Sequence, residues 1–304
     1  MPELPEVTLY LHALRPRVLG ERMQRVRIAS PSLLKTFDPA PSELHGKVVE
    51  TLSRLGKRIV LGLEDDLFAV IHLMIAGRFQ WRAPGTAVPR KRGHAAFDFA
   101  SGTLLLTEAG THKRASLHLV RGEAALRELD PGGIEPLEAP ANLFAAAIRH
   151  ENRTLKRALT DPRILSGIGN AHSDEILLRA RLSPVQLTRR LSDEEVERLR
   201  AATRSSLTEW SARLIEEAGD DFPAKVTAFH PAMSAHGKYR EPCDQCGTPI
   251  QRIVYATRET NYCPACQTGG RVLADRALSR LLGRDWPRTV EELEELRRAP
   301  GTDS

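Results

Sequence analysis

The chain has 304 residues, of which 41% are hydrophobic and 27% charged, a composition typical of one large or two medium globular domains. No apolar run approaches the roughly 20 residues that a membrane-spanning helix needs. The first residues carry carboxylates where a secretory signal would be basic, so we expect a cytoplasmic protein that does not enter a membrane. The net charge of +5 is a mild excess that alone gives weak support for an anionic partner.

Apolar residues at helical spacing predict a helix over residues 3–18, with prolines at its start. From about residue 47 to 107 the pattern changes to short β-branched and apolar runs, separated by turns that carry Gly, Asp and Ser. These predicted strands are Val48–Leu55, Arg58–Leu63, Leu67–Leu73, Gly77–Trp81, His94–Phe99 and Thr103–Thr107. Short strands so closely spaced predict an antiparallel β-sandwich.

A stretch that contains Pro and Gly, residues 131–140, reads as a linker to a helical part of the chain. Helices are predicted over Asn142–His150, Asn152–Asp161, Asn170–Ala180 and Ser192–Ala218, and one more amphipathic helix over Arg271–Leu282. Ser192 and Glu195 form a capping-box pattern at the start of the longest helix. The predicted fold class is therefore α+β, with an N-terminal antiparallel sandwich flanked by helices and a C-terminal helical part.

All four cysteines lie close together as two CxxC pairs, Cys243 with Cys246 and Cys263 with Cys266. Two such pairs across a short loop have the spacing of a structural zinc site, in which each pair offers two thiolates to one tetrahedral ion. Structural disulfides and a redox pair are the alternatives. A cytosolic chain argues against disulfides, and a redox motif does not need a second pair. We therefore expect one structural zinc per chain, because four thiolates leave no coordination position open for water.

The first residues, Pro2-Glu3-Leu4-Pro5-Glu6-Val7, admit two interpretations. Removal of the initiator methionine would expose Pro2 as a free secondary amine. With an ordinary pKa near ~8, much of that amine is neutral and nucleophilic at physiological pH. Alternatively the prolines only start a helix whose dipole the glutamates complement. Taken alone, the segment favours the second interpretation.

Taken with the cysteine pattern, this segment makes the chain resemble the formamidopyrimidine-DNA glycosylase/endonuclease VIII family from Pro2 to about Gln267. The further matching motifs occur in the family's order. They are Leu55-Gly56-Lys57-Arg58, Ile71-His72-Leu73 closing at Gly77, Gly167-Ile168-Gly169-Asn170 followed by Asp174-Glu175, and Cys246-Gly247-Thr248-Pro249-Ile250 followed by Arg258. The resemblance implies a catalytic sandwich domain over 1–135, a helix–two-turn–helix domain over 136–240, a zinc finger over 241–268 and a C-terminal helical extension over 269–304.

The resemblance also implies a function. We expect a monomeric DNA glycosylase and abasic-site lyase that excises oxidised or ring-opened bases from damaged double-stranded DNA, in the bacterial cytoplasm at the nucleoid. Pro2 would attack C1′ of the extruded nucleotide and form a Schiff base, and Glu3 would move protons at the sugar. Glu6 would hold the helix and the amine, and Lys57 would approach the flanking phosphates. The alternative is a non-catalytic zinc-finger protein of the same fold that binds damaged DNA; an intact Pro2, Glu3 and Lys57 favour the enzyme.

Further residues are expected to contact DNA. Asn170, at a helix start, and Arg258 would hold phosphates on the damaged strand, assisted by Lys156. Ile75 stands where the family's oxidised-purine branch usually has a gap-filling methionine. His112 and Lys113 lie in the loop where that branch has an Arg–Phe pair. Because these side chains plug the gap poorly, we expect modest activity on 8-oxoguanine opposite cytosine and little dependence on the opposite base.

Overall fold

The structure is a computed structural model that describes residues 1–110, 112–255, 258–274, 283 and 286–298; for residues 255, 258 and 296–298 it describes the backbone alone. The chain divides into two compact units, one formed by Met1–Gly133 with Thr208–Ala228 and the other by Ile134–Leu207 with Phe229–Ser304. Among the described helices, none combines the length and the apolar content that crossing a bilayer requires. The four domain ranges drawn from the sequence stay a prediction.

The first unit contains the predicted β-sandwich as two four-stranded sheets. One sheet has the order β1-β6-β7-β5 and the other β2-β3-β4-β8, and all neighbouring strands are antiparallel. The elements are α1 (Leu4–Val18), β1 (Arg25–Ile28), β2 (Val49–Leu55), β3 (Arg58–Leu63), β4 (Leu67–His72), β5 (Gly77–Arg82), β6 (Gly93–Asp98), β7 (Thr103–Glu108), β8 (Ser116–Arg121) and α2 (Glu123–Glu128).

The second sheet is apolar on both faces. Successive strand residues point to opposite faces, and one face carries the fully buried, mutually paired Ile59, Ile71 and Leu117. The other face carries a cluster that includes Val60 and Val70 and packs against apolar residues of α2 and its C-terminal flank. Double burial explains why these strands read as continuous apolar runs in the sequence.

Two connections cross from one sheet to the other at the same end of the sandwich. The first crossover, residues 73–76, joins β4 to β5, and the second crossover, residues 109–115, joins β7 to β8. Their flanking residues are paired, His72 with Ser116 and Gly77 with Glu108. The first crossover turns so tightly that a Cβ at Gly77 would lie 2.2 Å from the Leu73 carbonyl oxygen. The two crossovers therefore run side by side.

The remaining elements are mostly helical. They are α3 (Ala141–Arg149), α4 (Leu155–Thr160), α5 (Asn170–Ala180), α6 (Asp193–Ala218), β9 (Gln251–Tyr255), β10 (Arg258–Tyr262), α7 (Pro264–Thr268) and α8 (Val290–Arg298). The predicted capping box of α6 is present. The Ser192 N–H donates to Glu195 Oε2 at 3.0 Å, and the Glu195 N–H donates to Ser192 Oγ at 3.2 Å.

The chain after α7 packs back onto the finger strands. The Leu273 N–H donates to the Tyr262 hydroxyl at 2.7 Å, and the Val272 N–H donates to the Arg288 carbonyl at 2.8 Å. Val272 also joins a buried cluster with Val290 and Leu293 of α8, a helix that the sequence analysis did not predict. The helix predicted over residues 271–282 falls mainly on residues 275–282, outside the described part of the chain.

Candidate active site and DNA-binding elements

Two buried glutamates fix the N-terminal segment. Glu3 is the N-cap of α1, and a reciprocal capping box joins it to Glu6. The Glu3 N–H donates to Glu6 Oε2 at 2.8 Å, and the two residues are only 3% and 2% exposed. Pro2 is buried as well. The backbone position of Pro2 is therefore set by the first turn of a packed helix rather than by a loose terminus.

The terminal amine lies in a setting that favours its neutral form. Burial lowers its pKa from the ordinary 8.0, and the cations of Arg78 and Lys57 lower it further, against the opposing effects of Glu3 and Glu6. The amine belongs to Met1 here, and methionine removal transfers it to the buried Pro2. Arg78 also donates to the Gly77 carbonyl at 2.6 Å. Sequence reasoning missed Arg78, because only the return of the first crossover brings it towards the amine.

Lys57 and His72 both lie near the terminal amine. Lys57 occupies the two-residue turn between β2 and β3, in which Gly56 has a φ of 62°, and Arg58 pairs with His72 across the sheet. Burial lowers the pKa of His72 to about 4, with further lowering from the Arg58 and Lys57 cations and the terminal amine. His72 Nδ1 accepts the Met74 N–H at 2.9 Å, so the neutral ring carries its proton on Nε2. The sequence analysis named His72 only as part of a strand motif.

The two crossovers bring the predicted gap-filling residues to one place. Ile75 is 58% exposed in the first crossover, beside Met74, which has a φ of 54°. His112 and Lys113 are exposed in the second. A Cβ built at Gly110 would stand 3.4 Å from the Ala76 Cβ, so the two crossovers lie close together. The side chains thus project from one end of the sandwich, although about 35 residues separate them in the chain.

Helix α5 begins beside the finger strands. Its N-cap is Gly169, so Asn170 is the first helical residue rather than the cap. The Asn170 side-chain amide donates to the Glu259 carbonyl at 2.9 Å. Glu259 follows Arg258, whose side chain lies outside the described part of the structure. Lys156, also in this cluster, donates to the Asn170 carbonyl at 2.6 Å and to Asp174 at 2.5 Å, which leaves it few donors for a phosphate.

The Asp174-Glu175 pair organises the loop before the finger. The Glu175 carboxylate accepts the backbone N–H groups of Ser234, Ala235 and His236 at 2.8–2.9 Å. Asp174 lies 2.8 Å from His236 Nδ1. Both carboxylates are buried, and a buried carboxylate is retained only where such donors compensate its desolvation. The motif therefore has a structural task inside this unit.

The four cysteine sulfurs fit one tetrahedral ion. All lie within 4.8 Å of one another, and a zinc with Zn–S bonds of about 2.3 Å places sulfurs about 3.8 Å apart. None is in a disulfide. Each pair forms a knuckle: the Gly247 N–H donates to the Cys243 carbonyl at 2.8 Å, and the Cys266 N–H points to Cys263 Sγ at 3.5 Å. These residues can hold a structural zinc and leave no position for a reacting water.

Three successive parts of the chain match known protein families. Residues 1–115 match the formamidopyrimidine-DNA glycosylase N-terminal domain, and residues 133–213 match the H2TH domain of the same enzymes. Residues 240–269 match the zinc finger found in FPG and IleRS. This last match, together with the sulfur cluster, confirms the prediction of one structural zinc.

Individual relatives agree. The formamidopyrimidine-DNA glycosylase of Ligilactobacillus salivarius is 31% identical over 278 residues, which covers 88% of this chain and 99% of that protein. The Geobacillus kaustophilus protein of the same name is 32% identical over 283 residues, covering 88% and 100%. A solved complex of Lactococcus lactis Fpg with DNA containing an abasic site is 26% identical with a TM-score of 0.77, covering 88% of this chain and 99% of that one. The chain therefore belongs to the formamidopyrimidine-DNA glycosylase family.

Proposed function

We propose that this chain is a DNA repair glycosylase and abasic-site lyase that uses the amine of Pro2 as its nucleophile. The single observation that carries the proposal is the terminal amine, held by Met1 next to the buried Pro2, whose pKa is lowered by burial and by the nearby cations of Arg78 and Lys57. If the N-terminal prolines only started a helix, the terminal amine would not need a lowered pKa. A protein that only binds damaged DNA would also have no use for it, so the observation disfavours the non-catalytic alternative.

The proposed reaction follows from the chemistry of a secondary amine. The neutral nitrogen attacks C1′ of the extruded nucleotide, the bond from C1′ to the base breaks, and the base leaves with a proton. Opening of the sugar ring, with a proton passing to its oxygen, gives an iminium ion that acidifies the C2′ proton. Removal of that proton expels the 3′ phosphate, a second elimination expels the 5′ phosphate, and water then releases the enzyme. Glu3, beside the amine, is suited to the proton transfers at the sugar.

The roles of the neighbouring residues follow from their contacts. Glu6 restrains the backbone at Glu3 and so orients the amine. Lys57 and the Nε2–H of His72 would donate to phosphates that flank the lesion. Asn170 and Arg258 would hold the same strand from the second unit, and Lys156 would act by fixing the start of α5. We propose that the substrate is damaged double-stranded DNA and that the enzyme is a monomer. As its relatives are bacterial, we expect it to act in the cytoplasm at the nucleoid.

Covalent trapping tests the nucleophile. Borohydride reduces an iminium, so the protein should become linked to DNA that contains an abasic site, and peptide mapping should find the link on Pro2. Pro2→Gly, or a chain that retains Met1, should trap far more slowly. Pro5→Ala, which changes the other proline of the same segment, is the matched control and should trap normally. Full-strength trapping by Pro2→Gly would show that another group is the nucleophile.

The lesion preference is proposed from the side chains at the crossovers. A β-branched Ile75 and the cationic or polar Lys113 and His112 stack poorly in the gap left by the extruded base. Weak contacts at the gap give weak discrimination between opposite bases. We expect modest excision of 8-oxoguanine opposite cytosine, and better cleavage of abasic sites, oxidised pyrimidines and ring-opened purines. Single-turnover cleavage of each lesion opposite all four bases is the measurement; fast excision of 8-oxoguanine only opposite cytosine would contradict this.

A further inference from the structure

The last residue of β7, Glu108, closes the second crossover. Its carboxylate accepts the Arg114 N–H, at 2.9 Å from Oε2 and 3.1 Å from Oε1, and the Ala115 N–H at 3.2 Å. Glu108 is only 2% exposed. The start and the end of residues 109–115 are thus joined through one buried carboxylate.

A β-bulge directs His94 onto the same carboxylate. The register between β6 and β7 shifts between Gly93 and Ala95, and such bulges re-aim a side chain. His94 Nε2 lies 2.8 Å from Glu108 Oε2, and neither side chain is more than 1% exposed. A Cβ at Gly93 would lie 2.3 Å from Val88 Cγ1 and 2.5 Å from the Pro89 carbonyl oxygen, so the bulge requires glycine there. His94 contacts Oε2 of Glu108, the same oxygen that accepts the N–H groups of Arg114 and Ala115.

The second crossover has little other support. The residues described between 109 and 114 are all exposed. Gly110, one of its described residues, lies near the first crossover, where a Cβ built at Gly110 would stand 3.4 Å from the Ala76 Cβ. An exposed loop whose buried apolar contact is confined to its last residue, here Ala115, depends on hydrogen bonds to restrain its shape. The Glu108 carboxylate supplies these restraints at the end that leads into β8.

We propose that Glu108, braced by His94, is a positioning residue that holds the second crossover in the shape from which His112 and Lys113 reach the strand opposite the lesion. The inference rests on the proposed function. In this proposal the buried Glu108–His94 pair determines the shape of the second crossover, and the second crossover brings His112 and Lys113 to the DNA. Because single-stranded DNA has no opposite strand, Glu108 should matter for duplex substrates and not for single-stranded ones.

The test compares two substrates for one variant. In Glu108→Gln the negative charge is lost, and an NH₂ group that cannot accept a hydrogen bond replaces one of the two acceptor oxygens, at unchanged volume. Borohydride trapping on duplex abasic-site DNA should fall about 10-fold, as misplacement of a contact group does, while trapping on single-stranded abasic-site DNA keeps its rate. A 2-aminopurine placed opposite the site should brighten on binding wild-type protein, through unstacking, and brighten less with the variant.

A double-mutant cycle separates positioning from general support of the fold. His112→Ala with Lys113→Ala should reproduce the duplex defect, and Glu108→Gln should add nothing in that background. An equal loss on both substrates, an additive loss in the cycle or a full duplex rate in the His112/Lys113 variant would each overturn the proposal. Absence of trapping by wild-type protein on either substrate would instead refute the proposed function.

Discussion

His72 Nδ1 accepts the backbone N–H of Met74 at 2.9 Å, and this bond ties the protonation of a ring to the shape of the first crossover. Protonating Nδ1 would break the bond. It would also add a cation next to Arg58, Lys57 and the terminal amine, which already lower the pKa of His72 to about 4. The ring is therefore neutral across the physiological range.

The depressed pKa of His72 gives a stability that depends on pH. The unfolded chain takes up a proton near the ordinary value of about 6.5 and the folded chain only near 4, so the unfolded state binds more protons between them. The stabilisation is complete above pH 6.5 and is lost as the pH falls towards 4. The difference in unfolding free energy between wild type and His72→Gln, measured by urea unfolding, should shrink by about 3 kcal/mol over this window. A gap that is constant with pH would contradict the assignment.

The lowered pKa of the amine predicts the pH profile of trapping. The burial and the cations that lower the pKa of the Met1 amine should act in the same direction on the Pro2 amine, so the trapping rate should rise with pH along a limb that lies below the pKa of an exposed N-terminal proline. Arg78→Gln removes a cation, raises the amine pKa and should move the limb to higher pH. Arg78→Lys keeps the charge and serves as the matched control, with the limb close to that of wild type. If both variants moved the limb equally, the charge of Arg78 would not be the cause.

Two substitutions separate the hydrogen bond that Glu6 accepts from the effect of its charge on the amine pKa. Glu6→Ala leaves the buried Glu3 N–H without its acceptor, which should cost about 1–3 kcal/mol in unfolding free energy and slow trapping. Glu6→Gln keeps an acceptor oxygen and should stay near wild-type stability. Because Glu6 raises the amine pKa, loss of its charge in Glu6→Gln should move the trapping limb to lower pH. Equal stability of the two variants would argue against the hydrogen bond as the restraint.

The finger should be lost as a unit when one ligand is removed. Elemental analysis of the purified protein should find one zinc per chain, and Cys263→Ser should lose both the metal and tight DNA binding. Gln245→Ala, a change between the two cysteines of the first knuckle, spares all four ligands and should retain both. Tight DNA binding by metal-free Cys263→Ser would mean that the finger is dispensable for DNA binding.

Salt dependence distinguishes a phosphate contact from a packing contact. Arg258→Ala should weaken binding to all duplexes alike and reduce the slope of log K against log salt by about 0.9, the share of one phosphate. Arg252, on the neighbouring strand, already pairs with Glu259 at 3.3 Å and stacks 4.3 Å from the Tyr239 ring centroid. Arg252→Ala is therefore the control and should change the slope less. A larger change in slope for Arg252→Ala than for Arg258→Ala would show that Arg252 makes the phosphate contact.

Local patterns identified the buried elements best. Strand β3 (Arg58–Leu63) and helix α5 (Asn170–Ala180) have the bounds that the sequence predicts, and both lie in the interior. The strands that the analysis missed, β1 and β8, are edge strands. One face of an edge strand often carries charged residues, as Arg25 and Arg27 do in β1. The apolar–polar alternation of such a short strand is too brief to identify it from the sequence, and the strand forms because it pairs with its neighbour.

The residues of the candidate site also fall into two groups, those that the sequence identified and those that only the fold reveals. The nucleophile and the metal ligands could be found because their chemistry is written in consecutive residues or in fixed spacing. Arg78, His94 and Glu108 could not, since their significance depends on pairs far apart in the chain, such as Gly77 with Glu108. Lys156 is the opposite case: the sequence suggested a phosphate ligand, but in the structure its ammonium group donates to Asp174.

The hydrogen bond from Leu273 to the Tyr262 hydroxyl makes the segment after the finger a reporter of the metal. Tyr262 directly precedes the ligand Cys263, so loss of zinc would release both the strand that ends at Tyr262 and the backbone that leans on it. The Val272, Val290 and Leu293 cluster would then open to solvent. Limited proteolysis of the native protein should therefore cut slowly at Val272 and Leu273 while metal is bound, and faster at these residues after a chelator is added.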